Sequence, residues 1–139
     1  RLWGIFPMGE RSDAEVLKSQ LVRNLAELAW LPPLALLDPG LVWTGAGEAA
    51  FEISYEADGQ EAVVRFEIDD QGDIQRAWSP ARPYDVPGGY EEAPWHYAFR
   101  DHGQMGGMRI PAEAIATFEK GDGPWEYFWG RVTSVRREA

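Results

Sequence analysis

The chain has no cysteine, and this absence excludes disulfide bonds, thiolate catalysis and zinc sites built from cysteine. It does not choose a redox compartment, so the localisation stays open. Basic residues are also scarce: 13 lysines and arginines stand against 23 aspartates and glutamates, for a net charge of −10. Because a nucleic-acid binder needs a basic stripe to neutralise phosphates, we expect no nucleic-acid partner.

Long apolar runs are missing as well. No run approaches the roughly 20 residues of a membrane-spanning helix, so we expect no transmembrane segment in this chain. Apolar material is nevertheless plentiful, since 45% of the residues are hydrophobic and 13% aromatic, which is enough for one core. A length of 139 residues predicts a single domain, residues 1–139. Because the chain begins at Arg1 inside an apolar, strand-like segment, we also expect it to be the C-terminal part of a longer protein.

One amphipathic helix is predicted over residues 13–29. Leucines recur at spacings of four, four and three on one face of this segment, at Leu17, Leu21, Leu25 and Leu28. A serine three residues before a glutamate, in residues 12–15, is typical of a capping box at a helix start. Two consecutive prolines, residues 32 and 33, end the helix because they remove backbone donors. Residues 33–37 are expected to add a short helical turn.

After Gly40 the hydrophobic period changes to the alternation of strands. Asp58-Gly59 is a strong hairpin signal, and residues 70–73 and 121–124 have the composition of further turns. Residues 80–89, with three prolines, are predicted to form one long loop. The predicted strands are residues 2–8 at an edge, 41–44, 51–56, 62–69, 74–78, 95–101, 108–110, 112–120 and 125–136. From these nine segments we predict the α+β class: a curved, half-barrel-like antiparallel sheet of about seven or eight strands with one N-terminal helix packed on it.

Large aromatic side chains concentrate on the last strands of this sheet. Trp125, Tyr127 and Trp129 fall at i, i+2 and i+4, which places them on one face of a strand. One helix is too short to cover seven strands, so part of the aromatic surface is left for a partner. Plain core packing under the helix explains the same pattern and is a simpler interpretation than a ligand-binding surface. The sequence predicts a ligand-binding site with the loop at 80–89 as its rim. The aromatic residues predicted to line it are Trp78, Tyr84, Trp95, Tyr97, Trp125, Tyr127 and Trp129.

A polar cluster offers an alternative of another class. Two imidazoles and a carboxylate, His96, Asp101 and His102, are ligand types that hold zinc and activate water. Alternation along the strand, however, turns His96 away from Asp101, so a surface histidine is the simpler interpretation. Adjacent acids at turns lack the facing arrangement of a glycosidase, and no Gly-x-Ser-x-Gly is present. We predict no catalytic residue, no metal and no cofactor.

Several segments resemble a bacterial family of domain-of-unknown-function proteins. They are residues 25–32 (LAELAWLP), 41–43 (LVW), 94–95 (PW), 106–111 (GGMRIP) and 123–133 (GPWEYFWGRVT). The resemblance covers nearly the whole chain, as the C-terminal part of the family's length, and implies no activity. The sheet with its helix is also similar in architecture to the half-barrel of the bacterial lipoprotein carriers (LolA-like), which encloses acyl chains.

The leading hypothesis is a non-enzymatic domain that binds an apolar or lipid-like ligand on the aromatic sheet. A small hydrolase or metal-dependent enzyme that uses His96, Asp101 and His102 is the second hypothesis. The third is half of a larger sheet, in which residues 2–6 form an edge strand that pairs with a missing N-terminal segment or with a second copy in a homodimer.

Overall fold

A computed structural model describes residues 14–30, 32 and 38–135. Helix α1 is followed by a 3-10 turn, Glu27–Trp30, and then by seven strands. The helix and strands are α1 Ala14–Ala26, β1 Val42–Gly45, β2 Ala50–Ala57, β3 Gln60–Ile68, β4 Ile74–Val86, β5 Gly89–Met105, β6 Met108–Lys120 and β7 Gly123–Arg131. In the described part of the chain, no helix has the length and apolar character needed to cross a membrane.

The predicted helix is confirmed, and its leucine stripe forms the contact with the sheet. Leu17, Leu21, Leu25 and Leu28 are all buried. The regular helix ends at Ala26 and tightens into the 3-10 turn over the next four residues. The predicted cap at Ser12, the edge strand at 2–8 and the short turn at 33–37 lie outside the described residues.

The predicted α+β class is confirmed as well. The seven strands follow one another in chain order, each antiparallel to the next, in a curved sheet that does not close. Asp58 and Gly59 form the predicted hairpin with φ values of 49° and 78°, the left-handed region that a tight turn of this kind requires. Among the described residues, each strand pairs only with the strands before and after it in the sequence.

The predicted loop at residues 80–89 is wrong. β4 continues to Val86 and pairs with β5 as far as Val86 and Gly89, so only Pro87 and Gly88 turn the chain. The prolines are tolerated because β3 pairs with β4 only through Arg65–Ile68, opposite Ile74–Trp78. Beyond Trp78 the β3 side of β4 has no pairing partner in the described part of the chain, so a missing backbone donor breaks no ladder there.

α1 lies where β3 and β4 stop pairing. The helix packs mainly on these two strands. Its first turns, with Ala14 and Lys18, line a cleft of about 400 Å³ together with Gln60 at the start of β3 and Pro83 in the unpaired part of β4. The leucine face therefore covers the region in which the sheet loses its hydrogen-bonded ladder.

The face of the sheet beneath the helix alternates rings with small residues. Phe66, Ala77, Tyr97, Ala116 and Phe128 pair in succession across β3 to β7. Alanine beside each ring leaves room for neighbouring side chains to interdigitate. Trp30, in the 3-10 turn, packs on this row with its ring 5.5 Å from that of Tyr97.

The opposite face of the sheet is charged. Cross-strand ion pairs join Arg65 to Glu52 at 3.3 Å and Arg76 to Glu67 at 3.3 Å, with half-exposed side chains. Exposed pairs of this kind contribute little to the free energy of unfolding, about 0–1 kcal/mol each. They keep this face polar, so the core lies on the helix side alone.

An ion pair with a buried carboxylate, Asp73, joins the turn before β4 to the start of β6. Arg109 donates two hydrogen bonds to the Asp73 carboxylate, from Nε and from Nη2, each 2.7 Å long. These bonds from Arg109 hold the pKa of the Asp73 carboxyl below its ordinary value. Nearby, His102 Nε2 lies 2.7 Å from the carbonyl oxygen of Ile74. Both contacts fasten the β5–β6 hairpin to the first residues of β4.

Replacing Asp73 by asparagine is expected to lower the Tm at pH 7. Because the folded pKa of Asp73 is lowered, the pair stabilises the fold above the unfolded pKa of about 3.9, and this stabilisation is lost as the pH falls through the folded pKa. The difference in Tm between wild type and Asp73→Asn should therefore shrink below about pH 4, as followed by circular dichroism. Glu67→Gln, at an exposed ion pair, is the control, and we expect little change at either pH. An Asp73→Asn difference of the same size at both pH values would contradict the assignment.

Candidate functional site

Five of the seven predicted ligand residues come together on the helix side of β4 to β7: Tyr84, Trp95, Tyr97, Trp125 and Tyr127. The rings of Trp95 and Tyr97 are 4.9 Å apart, and those of Trp125 and Tyr127 are 5.1 Å apart. Phe118 connects the groups, at 5.1 Å from Tyr84 and 5.4 Å from Tyr127. We call the set of Tyr84, Phe118, Trp125 and Tyr127 the aromatic surface.

The other two predicted residues lie on the opposite face. Trp78 pairs with His96 in a row on the charged side of the sheet. Trp129 pairs with Ile115, whereas its neighbour Phe128 pairs with Ala116 on the helix side. The prediction that Trp125, Tyr127 and Trp129 share one face is therefore wrong for Trp129. A register shift between Ala116 and Thr117 inserts one extra residue into β7 and reverses the alternation beyond it.

Burial separates the aromatic side chains into two kinds. Trp95 and Tyr97 are core residues, at 0% and 4% exposure. Trp125 and Tyr127 are 45% and 38% exposed, although they extend the same run of rings. The interpretation as core packing thus holds for the first pair, while the second pair presents an apolar surface at the edge of the sheet. Ligand binding by the seven residues stays a prediction.

Arg82 is the functional candidate that the sequence did not reveal. It is only 8% exposed, and its guanidinium carbon lies 4.6 Å from the centre of the Trp95 ring and 5.5 Å from that of Phe118. Nε donates to Ser19 Oγ at 3.0 Å and Nη1 donates to Tyr127 Oη at 2.7 Å. Among the described residues, no carboxylate lies within ion-pair distance of this guanidinium.

Two bulges bring Arg82 and Tyr127 together. A register shift in β4 between Ser79 and Arg82 changes the alternation, so that Arg82 pairs with Ala93 and faces the helix side. Tyr127 is the extra residue of the bulge in β7, between Glu126 opposite Thr117 and Phe128 opposite Ala116. Since a bulge redirects a side chain, Arg82 points where strict alternation would not send it, whereas Tyr127 keeps the face of Trp125 and the alternation reverses beyond it, at Phe128. No sequence signal for either bulge stands out, apart from Pro80 within the first.

The Tyr127 hydroxyl oxygen accepts two hydrogen bonds. The second donor is Trp95 Nε1, at 2.9 Å. Nearby, Tyr97 donates from its hydroxyl to Glu27 Oε2 at 3.4 Å. Burial raises the pKa of Glu27 and that of Tyr97, and lowers the pKa of Arg82, because each charged form is desolvated between helix and sheet.

An apolar cleft forms a second candidate site. Its volume is about 330 Å³, and it opens between the 3-10 turn and strands β1 to β4. The lining residues are Leu28, Ala29, Pro32, Trp43, Phe51, Ile53, Phe66, Ile68, Gly72 and Ile74. None of the seven predicted ligand residues is among them. The sequence signal for this cleft is the alternation in residues 51–56 and 62–69, which predicts two strands but not a cleft between them and the 3-10 turn.

The three residues of the metal hypothesis have separate partners. Asp101 binds Arg131, with 2.6 Å between Oδ2 and Nη2, and His102 binds the Ile74 carbonyl. His96 lies on the charged face, with Nδ1 4.0 Å from Glu119 Oε1. Burial lowers the pKa of His96, so the ring favours its neutral form. In the described ranges, no group of three or more histidine, aspartate or glutamate side chains could hold a metal ion.

The sequence model of a family of unknown function, DUF6544, matches residues 1–130, and the chain belongs to that family. The resemblance to a family of unknown function is thereby confirmed. No curated protein and no solved structure matches the chain. The similarity to the lipoprotein carriers stays a prediction.

Replacing Tyr127 by phenylalanine tests the hydrogen bonds of the cluster. The change leaves the Trp95 and Arg82 donors without their acceptor, so we expect the free energy of unfolding to fall by about 1–3 kcal/mol. Tyr84→Phe is the matched control on the same face, because the Tyr84 hydroxyl binds only the exposed Glu91 carboxylate. Tyr84→Phe should change the free energy of unfolding by no more than about 0.5 kcal/mol. Urea denaturation at pH 7 measures both, and equal losses would contradict a buried network at Tyr127.

Proposed function

We propose that the domain is non-enzymatic and binds an apolar, lipid-like ligand in the cleft between the 3-10 turn and strands β1 to β4. The observation that carries this proposal is the lining of the cleft. All ten lining residues are apolar or glycine, and none has a side chain that titrates. Such a wall excludes water from a ligand's apolar body but offers no acid, base or nucleophile for a reaction.

The shape of the cleft supports a ligand that lies along the sheet. Ile53 and Phe66 are almost fully buried, and they form the floor. The rings of Trp43, Phe51 and Phe66 are stacked in a line, at 5.4 Å and 22° for the first pair and 5.1 Å and 12° for the second. Trp43, at 47% exposure, is the open end of this line. The stacked rings therefore lead from solvent at Trp43 to the core at Phe66. An acyl chain that lay along them with its end inwards would leave water.

The size of the cleft limits what it holds. A volume of about 330 Å³ is at the lower end of the range of roughly 300–1,000 Å³ for ligand sites. Each methylene group that leaves water contributes about 0.8 kcal/mol, so affinity should rise with chain length until the cleft is full. A short acyl chain or a small apolar ring fits this description better than a whole lipid.

Native mass spectrometry of the purified protein, followed by organic extraction, is the direct experiment. We expect a co-purifying apolar molecule, and fatty acids of increasing length should bind the emptied protein with increasing affinity up to a limit. Trp43→Ala should weaken this binding by about tenfold, because it removes the ring that covers the open end. Fluorescence titration measures the affinities.

Val42→Ala is the matched control. Val42 is the neighbour of Trp43 on β1, is 58% exposed and pairs with Ser54, so it points to the other face of the sheet. It should leave the affinity unchanged. The proposal fails if no apolar molecule binds, or if both variants weaken binding equally.

A further inference from the structure

Arg82 is a buried cation whose hydrogen-bond partners are all neutral among the described residues. Ser19 and Tyr127 offer hydroxyl groups, and Trp95 and Phe118 offer the faces of their rings. A guanidinium keeps its charge even when burial lowers its pKa. A buried charge is costly unless an opposite charge compensates it. The environment of this side chain therefore favours the binding of an anion.

The surrounding charges compensate Arg82 only in part. Glu27 is the carboxylate that acts on it through space, but Glu27 lies beside Arg23, at 3.6 Å, and burial favours its neutral form. On the aromatic surface, Lys120 adds a second cation, with Nζ 4.1 Å from the centre of the Trp125 ring and 4.5 Å from that of Tyr84. The Glu91 and Asp122 carboxylates near Tyr84 offset the charge of Lys120, so Arg82 is the cation of this region that lacks a carboxylate at ion-pair distance among the described residues.

Two donors already converge on one oxygen in this region. Tyr127 Oη lies 2.7 Å from Arg82 Nη1 and 2.9 Å from Trp95 Nε1, which are the distances at which donors hold an oxyanion. Arg82 Nη2 has no hydrogen-bond partner among the described residues. On the planar guanidinium, Nη1 therefore donates to a neutral hydroxyl, and the adjacent Nη2 is available. The spacing of these two nitrogens matches that of the two oxygens of a carboxylate.

We propose that this cluster binds the carboxylate of a small apolar acid. One carboxylate oxygen takes the place of the Tyr127 hydroxyl between Arg82 and Trp95, and the other binds Arg82 Nη2. The apolar body of the acid lies against the rings of Trp125 and Tyr127. Neither residue lines the apolar cleft, so this site is distinct from the one proposed above.

The position of Tyr127 allows the exchange. It is on the edge strand β7, its ring is 38% exposed, and as the extra residue of a bulge it has no cross-strand partner. Because its ring is already partly in solvent, its side chain can move outwards, and the two donors released by the hydroxyl then bind the carboxylate. The two bulges thus place the guanidinium of Arg82 in the interior and the displaceable hydroxyl of Tyr127 between it and solvent.

Isothermal titration calorimetry with 2-naphthoate tests the proposal on the full chain. Wild type should bind 2-naphthoate, and should bind 2-naphthol and inorganic phosphate at least tenfold more weakly, since each lacks one half of the recognised chemistry. Tyr127→Phe should bind 2-naphthoate several-fold more tightly, because the competing hydroxyl is gone while both donors remain. A purely structural role for Tyr127 would not produce this gain.

Arg82→Met should raise the Kd for 2-naphthoate at least tenfold, or about 1.4 kcal/mol. Arg82→Lys keeps the charge but not the planar pair of donors, and it should also weaken binding if Arg82→Met fails to fold. Trp129→Phe, on the other face of β7, is the control and should change nothing. Trp43→Ala should leave this binding intact, which separates the site from the cleft. Absence of 2-naphthoate binding, unchanged binding in a folded Arg82 variant, or equally tight binding of phosphate would overturn the proposal.

Discussion

The packing of the whole domain depends on where the pairing of β3 and β4 ends. These strands share a ladder only between Arg65–Ile68 and Ile74–Trp78, and beyond it neither strand has a partner on that side within the described ranges. Helix α1 packs on both strands, with leucines that would otherwise be exposed. Since exposed leucine is unfavourable in water, this placement of the helix buries the leucine stripe against the two strands. The curvature of the sheet then leaves its two ends beyond the reach of a helix of 13 residues.

The polar cluster beneath the helix is a second consequence of that placement. α1 and the 3-10 turn after it bring Ser19 and Glu27 over the sheet, where they bind Arg82 and Tyr97. Buried polar groups stabilise a fold only when they are hydrogen-bonded, and here the Tyr127 hydroxyl serves two donors at once. A single residue of β7 therefore satisfies both of these donors. The same dependence makes the cluster a place where a ligand oxygen can substitute for a protein oxygen.

The two ends of the sheet have different chemical character. Around Trp43 and Phe66 the surface is apolar and concave, whereas around Arg82 and Trp125 rings are combined with cations. The first end suits a ligand that avoids water, and the second suits one that also carries negative charge. Membership in a family of unknown function assigns neither role, so both proposals rest on the side chains themselves.

The sequence by itself determined the local structure and the fold class. The leucine spacing of α1, the alternation in β2 and β3 and the Asp58-Gly59 turn are properties of neighbouring residues, and each was predictable. It could not determine the register shifts, because a bulge depends on which residues of the adjacent strand are already paired. Those shifts moved Trp129 to the far face, brought Arg82 to the near face and extended β4 through its prolines. The aromatic density was visible in the sequence; its division into buried core, exposed surface and cation-bearing cluster was decided only when helix and sheet packed together.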